Sequence, residues 1–268
     1  MCIRDRVTET LSSLAAASIA ELRAIHDRLA ATVAGLSPEQ LTAPSGAEEW
    51  TVADVLSHLG SGAEISRYPV VAGAGAPEEA PTNQEVWDRW NALPPVEQAA
   101  GFVAANEKLV ATYEALSPEQ RESIQVDLGF LPQPVPLATA LGMRLNEAAL
   151  HGWDVQVGLD PAAALSEESA DLLARHFAET MTFLLGFAGK PQGAPEGRVA
   201  LGDHSIVIAA EGVRLEPGIG AATSKFEGPL EAGIRLLGGR LRPAYTPAGV
   251  TVSGDISLDD LRKVFPGY

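Results

Sequence analysis

The sequence predicts a two-domain protein in which an N-terminal up-and-down bundle of four long helices precedes a small C-terminal α+β domain. As far as residue 187, apolar residues recur mostly at three-to-four spacing, which is the period of amphipathic helices. Residues 189–197 are rich in Gly and Pro and have the composition of a linker. Beyond them the apolar pattern changes to that of short strands separated by turns. We therefore expect a helical domain at residues 7–188 and an α+β domain at residues 198–268.

The helices are predicted from their apolar stripes and from the residues at their ends. Thr51 and Ser166 are suitable N-caps, and Gly35 ends the first helix. The adjacent prolines at positions 94 and 95 should break or kink the third helical region. The expected helices cover residues 8–34, 51–68, 83–93, 95–116, 137–158 and 166–187.

The connections and the C-terminal domain are predicted from turn residues and from the period of the strands. Residues 124–136 are punctuated by prolines, so we expect an extended segment that lies over the end of the bundle, where it could form one wall of a pocket. In the C-terminal domain the expected strands are residues 198–201, 205–209, 212–215 and 249–254, and the expected helices are residues 229–237 and 257–264.

Composition argues against several classes of function. The formal net charge of −16 disfavours nucleic acid and anionic membranes as partners, because phosphate binding needs a basic patch. The single cysteine, Cys2, allows neither a disulfide framework nor a Cys-based zinc site. No apolar run approaches the roughly 18 residues of a membrane span, and no signal-peptide core is present, so we expect a cytoplasmic protein. Residues 1–6 do not match the helix that follows and are interpreted as a leader outside the fold.

Two pairs of residues stand out within the predicted helices. Glu147 and His151 are four residues apart, and so are Asp54 and His58. Side chains at this spacing leave the same face of a helix one turn apart and can converge on one cation. The chain has five histidines and 35 acidic residues, so chance would place an acidic residue four before a histidine less than about once. The recurrence favours a functional interpretation.

We therefore predict a divalent metal held by His58, Glu147 and His151 on two helices that pack side by side. Two imidazoles and one carboxylate leave at least one coordination position open, as in catalytic rather than structural zinc sites. Asp54 is placed to orient an imidazole, and Arg144 is placed to neutralise or hold Glu147. The alternative is that both pairs are ordinary ion pairs on helix surfaces.

These residues lie in two longer motifs that resemble the mycothiol-dependent maleylpyruvate isomerase family of actinobacteria. The motifs are Trp50-x-x-x-Asp54-x-x-x-His58-Leu59 and Arg144-x-x-Glu147-x-x-x-His151-x-Trp153-Asp154. Residues 228–241 and 250–256 are similar to the C-terminal domain of that family, an α+β unit related to sterol carrier proteins. The resemblance spans nearly the whole chain, and it implies a DinB-like metal-binding four-helix bundle followed by a sterol-carrier-like domain.

The resemblance also implies a cofactor and a reaction. His58, Glu147 and His151 correspond to the ligands of a metal that is usually zinc in this family. The reacting thiol would come from mycothiol, whose sulfur takes the open metal position as a thiolate and adds to the double bond of maleylpyruvate. A dicarboxylate substrate needs cationic groups, and Arg240 and Arg242 of the C-terminal domain are the candidates.

The function expected from the sequence is that of a metal-dependent and thiol-dependent isomerase or S-transferase. Its partners would be a small-molecule thiol and a small-molecule substrate, and the protein would be a monomer or a homodimer. Two alternatives remain open. One is a non-catalytic binding protein that holds an apolar ligand in its C-terminal domain. The other is a DinB-like metal hydrolase that uses a metal-bound water and turns over without added thiol.

Overall fold

The computed structural model describes residues 11–267, and the helices of its first part follow one another through short connections. The predicted leader at residues 1–6, Cys2 included, lies outside the described residues. In chain order the elements are α1 (Leu11–Ala34), α2 (Pro38–Leu41), α3 (Val52–Gly73), α4 (Asn83–Asn91), α5 (Pro95–Glu114), α6 (Pro118–Ser123), β1 (Gln125–Val126), β2 (Val135–Pro136), α7 (Leu137–Val157), α8 (Glu167–Glu179) and α9 (Thr182–Ala188).

The four long helices α1, α3, α5 and α7 form the predicted bundle. α1 packs against α5 and α7, and α3 packs against the same two helices, so each long helix has two long neighbours. The short helix α4 packs on the outside of α3. Residues 124–136, all of which are described, form no helix, as expected, and β1 and β2 pair there as a short antiparallel ladder. The helical class predicted for this part of the chain is confirmed.

Two helices differ clearly from the sequence prediction, one in where it ends and one in being divided. α3 begins after the predicted N-cap Thr51 but continues to Gly73, past Pro69, which lies inside the helix. The helix predicted at residues 166–187 is divided into α8 and α9. At the division the N–H groups of Thr180 and Met181 both donate to the carbonyl of His176, at 3.0 and 2.7 Å. The second bond spans five residues instead of the four of an α-helical turn, so it ends the regular pattern of helix hydrogen bonds.

The C-terminal part is a five-stranded mixed sheet with two helices. Its elements are β3 (Gly197–Leu201), β4 (His204–Ala209), β5 (Gly212–Pro217), β6 (Ser224–Glu227), α10 (Leu230–Leu237), β7 (Thr251–Gly254) and α11 (Leu258–Val264). The strand order is β5-β4-β3-β6-β7, and β3 and β6 are parallel while the other neighbours are antiparallel. β6 was missing from the sequence prediction, because four alternating residues are too short a run to stand out. The predicted α+β class is confirmed.

The helical part and the sheet part pack against each other. α8 contacts α10 and β5, and α9 contacts β5. The Arg235 guanidinium of α10 lies over the ring of Trp153 on α7, 5.0 Å from the ring centroid. Buried apolar residues from both parts form one continuous cluster. The division of the chain at residues 189–197 stays a prediction. Among residues 11–267, no helix is both long enough and apolar enough to span a membrane.

His176 shows how α8 is held in the core. Its ring nitrogens are hydrogen-bonded to Ser18 on α1, at 2.8 Å, and to Thr180, at 2.7 Å. Gly142 on α7 makes room for the ring, since a Cβ at that position would lie 2.5 Å from Nδ1. Burial lowers the pKa of His176 from 6.5 to about 4, and the charge of Arg175 acts in the same direction. The ring is therefore neutral at pH 7.

The free energy of unfolding should consequently fall as the pH falls from about 6.5 to about 4. In this window the unfolded chain binds the His176 proton and the folded protein does not, so protonation favours unfolding. The full effect of this one group would be about 3 kcal/mol. Denaturant unfolding of the wild type and of His176→Gln, which cannot titrate, should give a steeper loss of stability for the wild type. Equal pH dependence in the two proteins would contradict this origin.

Candidate metal centre

The packing of α3 against α7 brings the three predicted ligand residues together. His58 Nε2 lies 2.8 Å from Glu147 Oε2, and His151 Nε2 lies 3.7 Å from the same oxygen. The two imidazole rings are 4.7 Å apart at their centroids. One ligand atom from each residue can be chosen so that all three lie within 4.8 Å of one another. All three side chains are partly exposed, so the cluster opens to solvent.

The donor set and its spacing fit a divalent ion. Ligand atoms bound tetrahedrally at about 2.0–2.2 Å from zinc are about 3.4 Å from one another. The two distances from Glu147 Oε2 lie on either side of that value. Glu147 Oε2 and the two imidazole nitrogens are therefore close enough for one ion to bind between them after small movements of the side chains. Two imidazole nitrogens and one carboxylate oxygen also accept several first-row metals.

The electrostatic surroundings keep Glu147 ionised. Burial opposes ionisation, but the hydrogen bond to His58 and the electrostatic effects of His151, His58 and Arg144 outweigh it. Together they lower the pKa of Glu147 from 4.5 to about 2. A carboxylate that is charged at neutral pH is the form that binds a metal.

Arg144, one turn before Glu147, acts on the carboxylate through charge rather than through contact. Its Nη2 donates to the carbonyl of Leu59, at 2.9 Å, and to Asn106 Oδ1 on α5, at 2.8 Å. Burial lowers the pKa of the Arg144 guanidinium, and the negative charge of Glu147 opposes this shift. The predicted role of neutralising Glu147 thus has electrostatic support, whereas the hydrogen bonds of Arg144 described here tie α7 to α3 and α5.

The carboxylate that contacts a ligand histidine is Asp154. Its Oδ2 lies 2.9 Å from His151 Nδ1, so it accepts the Nδ1–H and leaves Nε2 free to face Glu147. Arg240, between α10 and β7, donates from Nη2 to the same Oδ2 at 3.0 Å. Asp154 is fully buried, and although burial opposes ionisation, the bonds to His151 and Arg240 keep its pKa below the ordinary value.

Asp54, which the sequence analysis placed beside His58, has a different partner. Its Oδ2 accepts the backbone N–H and the hydroxyl of Thr51, at 2.9 and 2.6 Å. This is the capping box that begins α3. Within residues 11–267, no hydrogen bond joins Asp54 to His58, because the carboxylate bends back toward the N-terminus of its own helix. The carboxylate in contact with a candidate ligand histidine lies on the other helix, at Asp154.

A loop before α3 places Trp50 against both histidines. The indole stacks on His151 at a centroid distance of 5.8 Å and an interplanar angle of 20°, and it lies 5.3 Å from the ring of His58. Gly46 lets this loop approach α7, since a Cβ there would lie 2.9 Å from the Cα of Asp154. Glu49 has a φ of 65°, which is an uncommon conformation for a residue other than glycine. No role for Trp50 was predicted from the sequence, although its position in the first motif was the available signal.

Two cavities reach the cluster, and Trp50 lines both of them. One of about 260 Å³ includes Trp50, His151, Arg240 and Arg242. The other, of about 530 Å³, includes Trp50 and His58 and extends to α4. The predicted substrate-binding arginines thus line the smaller cavity. Arg242 is bound to Glu48 and to the carbonyl of Gly46 on the loop that carries Trp50.

Comparison with known proteins relates the chain to a group of bacterial proteins. Two uncharacterised proteins of Mycobacterium tuberculosis, from strains CDC 1551/Oshkosh and ATCC 25618/H37Rv, are each 27% identical over 146 residues. The alignment covers 54% of this chain and 69% of each relative.

Two solved structures with the same fold carry the name of an enzyme. They are a mycothiol-dependent maleylpyruvate isomerase and a mutant of it in which one histidine is replaced by alanine. Both are 19% identical to this chain and cover 93% of it and 98% of their own length, with TM-scores of 0.62 and 0.63. At this identity the likeness shows the shared fold alone.

The sequence profile of the mycothiol maleylpyruvate isomerase N-terminal domain matches residues 22–156. The matched region is half of the chain and contains the loop with Trp50 and all three candidate ligand residues. The predicted resemblance is confirmed, and the chain belongs to the mycothiol maleylpyruvate isomerase family.

Proposed function

We propose that the protein is a metal-dependent enzyme that uses a small thiol, mycothiol, to isomerise a small unsaturated acid or, as an S-transferase, to add the whole thiol to it. The observation that carries this proposal is the convergence of His58, Glu147 and His151 between two cavities. A divalent ion at these ligands, for which zinc is the first candidate, would supply a Lewis acid that stabilises a thiolate at neutral pH. The only cysteine of the chain is Cys2, so an external thiol is consistent with the composition.

The protein's own groups would hold and orient the reacting partners. Asp154 keeps His151 in the tautomer whose Nε2 faces the ligand cluster, and Glu147 supplies negative charge that offsets part of the charge of the ion. Trp50 covers one side of the cluster and limits the access of water.

The smaller cavity is the proposed place for an acidic substrate. Of the two arginines that line it, Arg240 is buried and bound to Asp154, while Arg242 is 31% exposed and pairs with Glu48, which is 78% exposed. An exposed ion pair exchanges partners at little cost. We therefore propose that Arg242 contacts a substrate carboxylate and that Arg240 supports Asp154.

The metal can be tested directly by elemental analysis of untagged protein. We expect about one equivalent of zinc or a similar ion per chain in the wild type. His151→Ala should lose it, because two of the three ligands cannot hold the ion tightly. His204→Ala, which removes an imidazole in the C-terminal sheet, is the matched control and should retain the metal. A metal-free wild type with an intact fold would contradict the proposal.

Turnover of maleylpyruvate by the metal-loaded protein tests the thiol requirement. We expect isomerisation in the presence of mycothiol and none without thiol, because residues 11–267 contain no cysteine that could replace it. Turnover without thiol would indicate a reaction of metal-bound water instead. Metal binding without turnover of any unsaturated acid would favour a binding protein.

The orienting role of Asp154 predicts a loss of metal affinity in Asp154→Asn. The variant keeps the shape of the side chain but weakens its hold on the His151 tautomer, and such changes typically raise the Kd for zinc by about 10–100-fold. Competition with a zinc-binding dye would measure it. Asp171→Asn, an exposed position on α8, should bind zinc as the wild type does. Equal zinc affinity in the two variants would contradict the orienting role proposed for Asp154.

A further inference from the structure

The larger cavity beside the candidate metal centre differs from the smaller one in the residues that line it. Its volume of about 530 Å³ lies in the range of small-molecule sites. It extends to α4, and His58 forms part of its wall, whereas His151 lines the smaller cavity. The residues that line it include Glu49, Trp50, Asp54, His58, Trp87 and Asn91.

The charges around this cavity select against ionic ligands. Glu49 and Asp54 are exposed carboxylates, and no lysine or arginine is among the residues that line the cavity, all of which are described. An anionic ligand would be repelled by the two carboxylates. A cationic ligand would lie beside the divalent ion that His58 is proposed to bind, and like charges at that distance repel each other. The ligand that fits best is therefore uncharged.

The polar groups and aromatic rings that line the cavity restrict the class of ligand further. Asp54 uses Oδ2 to cap α3, which leaves Oδ1 as an acceptor, and the carboxylate of Glu49 also accepts only. The Asn91 carboxamide both donates and accepts. Trp50 and Trp87 are 38% and 43% exposed, and their flat rings offer apolar faces. A ligand ring that carries several hydroxyl groups and has apolar C–H faces would donate hydrogen bonds to these acceptors and stack on the two indole rings.

We propose that this cavity binds the uncharged, polyhydroxylated part of the thiol cofactor, a sugar or cyclitol ring, between Trp50 and Trp87. This inference rests on the proposed function. The thiol would approach the ligand cluster from the side of His58, and the acidic substrate would approach from the side of His151 and Arg242. Trp50 lies between the two paths and contacts both histidine rings.

The test compares two thiols that share a reactive end but differ in the ring part. Calorimetric titration of zinc-loaded protein with mycothiol and with N-acetylcysteine amide, which lacks the sugar and the cyclitol and also has no free carboxylate, gives a Kd for each. We expect Trp87→Ala to weaken mycothiol binding by about tenfold and to leave binding of N-acetylcysteine amide unchanged, because only the ring part reaches α4. Trp87→Phe, which keeps an aromatic face, should restore most of the affinity.

Phe187→Ala is the matched control, since it removes an aromatic ring that is 76% exposed on α9 and should change neither affinity. Unchanged mycothiol binding in Trp87→Ala would overturn the cavity assignment while leaving the metal-and-thiol function intact. An equal loss of affinity for both thiols would overturn it as well, because the effect would then lie at the metal. A zinc-loaded wild type that binds neither thiol would contradict both proposals.

Discussion

A buried arginine sets the alignment of the two helices on which the candidate metal centre depends. Arg144 on α7 donates to the carbonyl of Leu59 on α3 and to Asn106 on α5. A guanidinium taken out of water is very costly unless its donors are bonded, so α7 cannot slide along α3 without a large penalty. Leu59 follows His58 in the chain, and Glu147 lies one turn after Arg144. The same contact therefore places His58 opposite Glu147.

The C-terminal part of the chain reaches a candidate ligand histidine through a chain of contacts. Arg240 is bonded to Asp154, and Asp154 is bonded to His151. Arg240 also donates to the carbonyl of Gly238, at 2.7 Å, which holds its guanidinium in place. The orientation of one candidate ligand is thus coupled to the packing of the sheet region on the bundle. A bundle without that region would leave the buried carboxylate of Asp154 without the charge that now opposes it.

The distribution of charge explains how an acidic protein can offer two different surroundings at one site. The chain carries a net charge of −16, yet two arginines line the smaller cavity beside His151. The larger cavity beside His58 is lined by carboxylates and aromatic rings. Trp50 lies between them, on a loop that approaches α7 because Gly46 has no side chain. One ion at the ligand cluster would therefore face two unlike pockets.

Local spacing in the sequence determined the helices, their caps and the two acidic–histidine pairs, because residues four apart on a helix share a face wherever the helix lies. The contact of His151 with Asp154 is equally local, at a spacing of three, and was within reach of the same reasoning. The pairing of His58 with Glu147, 89 residues away, followed only from the hypothesis of a shared ion. Tertiary structure alone decided that Arg240 reaches Asp154, that Trp50 covers both histidines and that α4 encloses a cavity. These contacts depend on how separate elements pack, and packing is set by the whole core rather than by any one stretch of sequence.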